Sequence, residues 1–117
     1  MATEKWHIYR ANLDPVIGSE QGKSRPVLVV SEDFMNELLN CVNVVPLTTR
    51  KPGREVYPNE VFFAADVAGI PNDSIALCHQ IRTIDKKRLG PEYGEISEEA
   101  LRNDILDAIC FQLGIDR

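Results

Sequence analysis

The 117-residue sequence predicts a mainly β domain with helices, in which a small β-barrel is followed by a C-terminal helix. Three observations support this fold class. Short apolar and β-branched segments recur between turns rich in glycine, proline and polar residues. Near the C-terminus, one long segment has the apolar spacing of an amphipathic helix. No repeat or linker divides the chain, so residues 1–117 are expected to form a single domain.

Two strands separated by a polar loop are predicted first. Residues 6–13 (WHIYRANL) are rich in aromatic and β-favouring residues. This strand ends at Asp14-Pro15, because proline lacks an amide donor and restricts the residue before it. A polar loop with glycines spans residues 18–25. Residues 26–30 (PVLVV) are a continuous apolar run, which is typical of a strand buried on both faces.

A short helix and a third strand are predicted next. Ser31 is expected to cap the helix, which has two acidic residues in its first turn. The apolar side of this helix is predicted to consist of Phe34, Leu38 and Leu39. Residues 41–47 are predicted to form the third strand, with an edge or a bulge at Pro46. Residues 48–54 follow as a second polar loop.

The C-terminal half is predicted to contain two further strands, at residues 60–65 and 74–84, and a short last strand at 93–96. Strict alternation in the longest of them, 74–84, places His79 on one face with Ile75, Leu77 and Ile81. The opposite face is then formed by Ala76, Cys78, Gln80 and Arg82. A helical turn is expected at residues 85–89.

The final helix is predicted to begin after Ser97 as its cap and to end at Gly114. Acidic residues in its first turn suit the positive end of the helix dipole. Its apolar stripe is predicted to consist of Leu101, Ile105, Leu106, Ala108, Ile109 and Leu113.

The charge distribution argues against one class of nucleic-acid protein only. The formal net charge of −5 is unlike that of a general nucleic-acid coat protein, which has a basic surface. Basic residues nevertheless concentrate in loops between residues 22 and 54. The longest apolar runs are far shorter than the ~20 residues of a membrane span, and the N-terminus lacks a signal-peptide pattern. A soluble, cytoplasmic protein without a membrane partner is therefore expected.

Cysteine and histidine usage predicts neither a disulfide framework nor a metal site. Cys41, Cys78 and Cys110 are an odd number of widely spaced residues, so reduced thiols within the core are expected. The two histidines and the scattered acids lack the ligand spacing of a metal centre. No metal and no cofactor are predicted.

The loop over residues 18–25 has the clearest chemical signal. Arg25 lies at the mouth of a buried strand, and its planar guanidinium suits phosphate oxygens. From the residue types alone, a hairpin loop whose arginine pairs with a surface acid explains the segment equally well. The segment is not a P-loop, because the G-x-x-x-x-G-K-[ST] pattern is missing.

Three strings, GSEQGKSRPVLVVS, VVPLTTR and DSIALCHQIRTIDKKRLG, occur in this order. In sequence and spacing they resemble the MazF/PemK toxin family of bacterial toxin–antitoxin systems, and the similarity extends from Trp6 through the C-terminal helix. The resemblance implies a β-barrel of the SH3-like/CcdB-like type that forms a homodimer. It also implies a sequence-specific endoribonuclease, an mRNA interferase, whose substrate is single-stranded RNA.

The resemblance also assigns roles to individual residues. Arg25 and Thr48 match the catalytic arginine and threonine of the family. The expected RNA-binding residues are Ser19, Glu20, Gln21, Lys23 and Gln80. Glu20 is in addition a candidate general base, although a solvated carboxylate fits its position equally well.

Cleavage of this kind needs no metal, because RNA supplies its own 2′-hydroxyl nucleophile. The expected products are a 2′,3′-cyclic phosphate and a 5′-hydroxyl end. Arg25 is expected to stabilise the charge that develops on the phosphoryl oxygens. The Thr48 hydroxyl is too weak a base to take a proton by itself, so a hydrogen bond to the phosphate or a proton relay is the expected role.

Two positions depart from the family pattern. Trp6-His7 replaces the usual Gly-Asp pair, and His79 replaces an acid. Because imidazole exchanges protons near neutral pH, His79 is a further catalytic candidate. Its strand phase favours a packed or interface histidine instead.

Other functions remain as alternatives at this point. A non-catalytic CcdB-like binding toxin (a gyrase poison) would share the barrel, but the chain has no terminal tryptophan. An inactive interaction module is a second alternative. The expected protein partner is a MazE-like antitoxin, and DNA binding would belong to the complex with it alone. An acidic segment of that antitoxin is expected to dock near the loop cations Arg25, Arg50, Lys51 and Arg54.

Overall fold

The computed structural model describes residues 2–117, which contain seven strands and two α-helices. The strands are β1 (His7–Asn12), β2 (Ser24–Val29), β3 (Cys41–Thr49), β4 (Glu60–Phe63), β5 (Ser74–Leu77), β6 (Arg82–Asp85) and β7 (Leu89–Glu95). The helices are α1 (Asp33–Leu38) and α2 (Glu99–Leu113). All strand pairs are antiparallel, so the predicted mainly β fold with a C-terminal helix is confirmed.

The strand order is β4-β5-β3-β2-β1-β7, and β6 also pairs with β3. The nine-residue β3 therefore joins the two halves of the sheet. Its middle residues pair with β2, with Pro46 opposite Val27. From Leu47 onward it pairs with β5, with Leu47 opposite Ala76. Pro46 thus lies where β3 changes partner, which fits the predicted irregularity at this residue.

The core lies on both sides of the central strands. Val27, Leu28 and Val29 are completely buried, as their uninterrupted apolar run predicts. Leu28 belongs to a cluster that α2 covers through Ile105 and Ala108, whereas Val27 and Val29 belong to a second cluster on the other side. Each fully buried aliphatic side chain contributes about 1.5–3 kcal/mol relative to an exposed one.

The predicted strand over residues 74–84 is wrong. β5 ends at Leu77, residues Cys78–Gln80 form a 3-10 turn, and β6 begins at Arg82. β5 and β6 pair with successive parts of β3, in registers that differ by three residues. Cys78–Gln80 are the three extra residues, and they leave the sheet. The four residues of β5 are all buried, so the expected alternation is wrong as well.

Both helices begin differently from their predicted starts. Glu32 and Glu98, rather than Ser31 and Ser97, occupy the N-cap positions, and neither makes a side-chain cap hydrogen bond. The Ser31 hydroxyl instead hydrogen-bonds Asn36, which is the buried residue of α1.

The apolar side predicted for α1 is wrong, because the helix is anchored through its polar Asn36. The residues of that predicted apolar side, Phe34, Leu38 and Leu39, are exposed rather than packed against the sheet. In α2, Ile105 and Ala108 are buried and Gly114 ends the helix in the left-handed conformation, as predicted, whereas Leu113 is exposed.

The last strand and the helical turn before it also differ in extent from the prediction. β7 begins at Leu89, so it is longer than the predicted residues 93–96. A 3-10 turn over Lys86–Arg88 confirms the helical turn. In residues 2–117, no helix is long and apolar enough to cross a membrane.

The three cysteines lie in different surroundings. Cys78 is buried, and desolvation raises the pKa of its thiol to about 12, so it is an inert core residue as predicted. Cys110 is partly buried. Cys41 is exposed at the start of β3, so the predicted core position is wrong for this residue.

Candidate active site

A cavity of about 460 Å³ opens where β3 leaves β2. The antiparallel register that places Val27 opposite Pro46 would, continued by two residues, place Arg25 opposite Thr48. At this point, however, β3 pairs with β5 instead, so β2 and β3 separate. Arg25 and Thr48 both line the gap. The change of partner therefore brings together the two residues that the sequence predicts to be catalytic.

Arg25 is held by backbone oxygens alone. Its Nε donates to the Gly22 carbonyl oxygen at 2.9 Å, and its Nη1 donates to the Leu47 carbonyl oxygen at 3.4 Å. Within residues 2–117, no carboxylate forms an ion pair with it. The side chain is thus oriented while its charge stays uncompensated, and it does not pair with the surface acid that a purely structural role would supply.

Thr48 belongs to β3 rather than to the predicted loop, and it lies opposite Ile75 of β5. Its side chain is partly buried at the cavity wall. Pairing with β5 fixes the backbone on which the hydroxyl is carried. A hydroxyl on a rigid strand next to a guanidinium is suited to hydrogen-bond an anion bound between them.

Among residues 2–117, the cavity wall contains three cations and no carboxylate. Besides Arg25, it includes Arg10 of β1 and Lys51 of the loop after β3. The uncharged wall residues are Ser24, Pro26, Leu47, Thr48, Thr49, Ile70, Pro71, Asn72, Ser74 and Tyr93. In a chain of net charge −5, this concentration of positive charge at one cavity indicates an anionic ligand.

The loop between β1 and β2 is fixed at its base. Lys23 N donates to Asp14 Oδ1 at 2.8 Å, and Leu13 N donates to the Lys23 carbonyl oxygen at 2.8 Å. Gly22 fits there because a Cβ atom would lie 2.5 Å from Asp14 Oδ1. Since Gly22 is the acceptor for Arg25, this packing also positions the guanidinium.

Gln80 attaches the same loop to the turn after β5. Its Oε1 accepts from Gln21 N at 3.3 Å, and its Nε2 donates to the Ser19 carbonyl oxygen at 3.2 Å. Gln80 therefore contacts two other predicted RNA-binding residues, Ser19 and Gln21.

Glu20 and His79 do not line the cavity. They lie with Gln80 at a second cleft of about 330 Å³. Both side chains are exposed, and Glu20 Oε1 accepts from Ile17 N at 2.7 Å. The packing of His79 expected from strand alternation is wrong, because His79 lies on the 3-10 turn.

The other cations of the basic loop are bound internally. The Arg54 guanidinium donates to both carboxylate oxygens of buried Glu60 at 2.8 Å, and Arg50 donates twice to the Arg54 carbonyl oxygen. The Arg54 hydrogen bonds hold the pKa of Glu60 below its usual range, against the desolvation that would raise it. The sequence contained no signal for this pair, because it depends on Glu60 being buried.

Trp6 and His7, which depart from the family pattern, contribute to the fold and not to the cavity. Trp6 is buried in the core with a φ of 72°, and its N–H donates to the Val29 carbonyl oxygen. His7 contacts Glu92 at 2.9 Å and Glu4 at 3.2 Å. Neither residue lines the cavity of Arg25.

Several cavity residues were not predicted as site residues, notably Arg10, Asn72 and Tyr93. They come from three separate segments, and only the tertiary fold brings them together. Across residues 2–117, no three His, Cys, Asp or Glu side chains are grouped so that they could hold a metal ion.

Comparison with known proteins agrees with the family resemblance of the sequence. The family described as PemK-like, MazF-like toxin of type II toxin-antitoxin system matches residues 4–113. The chain is 37% identical over 101 residues to Endoribonuclease EndoA of Bacillus subtilis (strain 168), and the match covers 86% of each protein.

Solved structures resemble the chain over nearly its whole length. MazF (Form-I) from Deinococcus radiodurans superposes with a TM-score of 0.82 at 26% identity, covering 98% of this chain and 99% of that one. An endoribonuclease in complex with its cognate antitoxin from Mycobacterial species superposes with a TM-score of 0.79 at 26% identity, covering 99% of each chain.

Proposed function

This chain belongs to the family of PemK-like, MazF-like toxins of type II toxin–antitoxin systems, and from that premise we propose that it is an endoribonuclease that cleaves single-stranded RNA in the cavity of Arg25 and Thr48. One observation supports this site above all others. Three cations that form no ion pair with any carboxylate of residues 2–117 line one cavity of an acidic protein, and Thr48 lies among them. RNA is an anionic chain that such a cavity would attract.

The proposed reaction uses the nucleophile of the substrate. The 2′-oxygen forms a bond to the adjacent phosphorus and passes its proton to solvent water, while the bond from phosphorus to the 5′-oxygen breaks. The 5′-oxygen takes up a proton, so the products are a 2′,3′-cyclic phosphate and a 5′-hydroxyl. RNA therefore supplies what a metal-bound water would otherwise provide, and cleavage in EDTA is expected.

Arg25 acts on the transition state. Negative charge develops on the non-bridging oxygens during attack, and a guanidinium already oriented by Gly22 and Leu47 stabilises this charge without reorganising. The Thr48 hydroxyl donates a hydrogen bond to the same phosphate or relays the proton to the leaving oxygen. These two residues are the proposed catalytic pair.

The cleft of Glu20, His79 and Gln80 binds RNA on the other side of the loop between β1 and β2. Ser19, Gln21, Lys23 and Gln80 belong to this loop or contact it, and they bind RNA beyond the scissile phosphate. Glu20 and His79 face the same cleft, so they act on binding rather than on proton transfer.

The antitoxin competes for the uncompensated cations. An extended acidic segment of a MazE-like partner gains more from Arg25 and Lys51 than from Arg54, whose charge Glu60 already meets. Any DNA binding then belongs to that complex. The toxin acts in the cytoplasm, where its mRNA substrate is translated.

The toxin works as a homodimer through the face of β4 and α2. A groove of about 500 Å³ lies there, and Phe62 and Phe111 are exposed beside it. An exposed aromatic patch of this kind is typical of an interface. Light scattering at micromolar concentration should give the mass of a dimer, and a stable monomer would contradict this assignment.

A CcdB-like gyrase poison is not favoured, because the chain belongs to the PemK-like, MazF-like toxin family and contains the Arg25–Thr48 cavity. The test of the proposed function is primer-extension mapping on a long mixed RNA in EDTA. Wild-type protein should stop the extension at a small set of recurring sequences. Cleavage that requires Mg²⁺, or no cleavage at all, would contradict the proposal.

A further inference from the structure

Arg10 is the cavity cation that no sequence motif indicated. Its side chain is exposed, and its Nη1 donates to the Tyr93 hydroxyl oxygen at 3.1 Å. Within residues 2–117, Arg10 makes no ion pair with a carboxylate. A neutral hydroxyl orients the guanidinium but leaves its charge and its remaining N–H donors available.

The backbone holds Arg10 at this wall. On one side β1 pairs with β2, where Arg10 lies opposite Pro26, the neighbour of Arg25. On the other side the pairing with β7 is irregular between Tyr9 and Ala11, so Arg10 has no partner in the β7 ladder. The irregularity directs an exposed arginine to the cavity edge, next to the strand that carries the proposed catalytic arginine.

Tyr93 is a rigid support for this arginine. Its partly buried ring packs against the core cluster that α2 covers, and its hydroxyl accepts the hydrogen bond from Arg10. Its backbone lies tightly against the turn over Val67–Gly69, because a Cβ atom on Gly69 would lie 2.3 Å from the Tyr93 carbonyl oxygen. A tyrosine fixed in this way limits the positions that the Arg10 guanidinium can take.

We propose that Arg10 binds a second phosphate of the RNA, adjacent to the one that is cleaved, and that Tyr93 is a positioning residue for Arg10. The inference rests on the proposed function, because it assumes that the ligand is a phosphodiester chain. Arg25 then acts on the reacting phosphate, whereas Arg10 fixes the register of the chain in the cavity. Arg10 should consequently affect binding much more than the chemical step.

The test measures binding to a labelled single-stranded 2′-O-methyl RNA 12-mer of mixed sequence, which lacks the nucleophile and cannot be cleaved. Dissociation constants are determined over a range of salt concentrations for the wild type, Arg10→Gln, Tyr93→Phe and the double variant. Lys87→Gln is the matched control, since it removes one charge from an exposed residue outside the cavity. Thermal unfolding of each variant establishes that it is folded.

Loss of one phosphate contact to a single strand should reduce the slope of log K against log salt by about 0.7. Arg10→Gln should show this reduction and bind about three- to tenfold more weakly, while Lys87→Gln retains the wild-type slope. Tyr93→Phe should weaken binding less, and it should have no further effect in the Arg10→Gln background. Single-turnover cleavage by Arg10→Gln at saturating protein should stay within about threefold of the wild type.

The inference would be overturned if Arg10→Gln kept the wild-type salt slope, or if Lys87→Gln lost as much slope and affinity as Arg10→Gln. Additive losses of affinity in the Arg10→Gln, Tyr93→Phe double variant would overturn it as well. Its failure is distinguishable from failure of the proposed function. If the wild type cleaves RNA and Arg10→Gln keeps its slope, the second phosphate site alone is wrong. If the wild type cleaves no RNA but the salt slope is smaller for Arg10→Gln, Arg10 does contact a phosphate and the proposed nuclease activity alone is wrong.

Discussion

The two cationic regions of this molecule differ in what their guanidinium groups face. At the cavity, the hydrogen-bond partners of Arg25 within residues 2–117 are carbonyl oxygens, and the partner of Arg10 is a tyrosine hydroxyl. In the loop after β3, Arg54 is bound to the carboxylate of buried Glu60, and Arg50 is bound to the Arg54 backbone. In the sequence, Arg25, Arg50 and Arg54 belong to one basic segment, and Arg10 lies outside it. In the structure, one region stabilises the fold and the other is left to attract an anion.

The largest expected effect is that of Arg25→Ala. Removal of one pre-oriented electrostatic group lowers catalytic rates by roughly 10²–10³-fold. Because Arg25 neutralises no buried acid, its loss should leave the melting temperature almost unchanged. Single-turnover cleavage and thermal unfolding of the same preparation check both parts, and a rate within a few-fold of wild type would contradict the role of the cavity.

Thr48→Ala should have the next largest effect. Loss of a hydrogen bond to a charged phosphate corresponds to about 1.5–3 kcal/mol, or roughly a 10–100-fold lower rate. Binding of uncleavable RNA should change much less than the single-turnover rate. Thr83→Ala, at an exposed threonine of β6 outside the cavity, is the matched control and should retain the wild-type rate. Equal losses for the two variants would contradict a specific role for Thr48.

Arg54→Ala should lower stability and spare the cleavage rate, which is the opposite of the effect expected for Arg25→Ala. It leaves the buried Glu60 carboxylate without its partner, so the melting temperature should fall by several degrees. Below that temperature, the folded protein should cleave RNA at close to the wild-type rate. Circular dichroism and cleavage at a low temperature separate the two effects, and loss of activity without loss of stability would place Arg54 in the site instead.

Acid should remove the stability that the ion pair between Glu60 and Arg54 contributes. The pKa of Glu60 is lowered in the fold, mainly by its hydrogen bonds to Arg54, from an ordinary value of 4.5. Its contribution to stability is therefore present above about pH 4.5 and is lost as the pH falls through the lowered pKa. Unfolding curves between about pH 6 and 2.5 should show a steeper loss of stability for the wild type than for Glu60→Gln. Parallel curves would contradict the pairing.

His79→Gln should have the smallest effect. His79 is exposed at the second cleft and does not line the cavity of Arg25 and Thr48. The cleavage rate should change by less than about threefold, with an unchanged pH profile, since no proton transfer depends on the imidazole. A large loss between pH 6 and 8 would assign it a catalytic role.

Local sequence patterns correctly predicted those features of the fold that depend on residues close together in the chain. The continuous apolar run predicted that Val27, Leu28 and Val29 are buried, and Gly114 predicted the end of α2. The split of residues 74–84 could not be predicted, because it arises from the registers of β5 and β6 along β3. For α1, burial of Asn36 overrode the apolar pattern.

The same distinction applies to the site. The polar loop and the resemblance to known toxins indicated Arg25 and Thr48, which the structure brings to one cavity. Arg10 could not be predicted, because its position depends on the irregular pairing between β1 and β7. Similarly, the separation of Arg54 from the cavity cations depends on the burial of Glu60, which is a tertiary property.

The most direct test of the RNA-cleaving cavity is a pair of matched substrates with product-end analysis. One RNA contains the mapped cleavage site, and the other differs only by a 2′-deoxynucleotide on the 5′ side of the cut. In EDTA, the first should give 2′,3′-cyclic phosphate and 5′-hydroxyl ends, and the second should bind with similar affinity but remain intact. Cleavage of the deoxy substrate, or 5′-phosphate ends on the products, would contradict the mechanism.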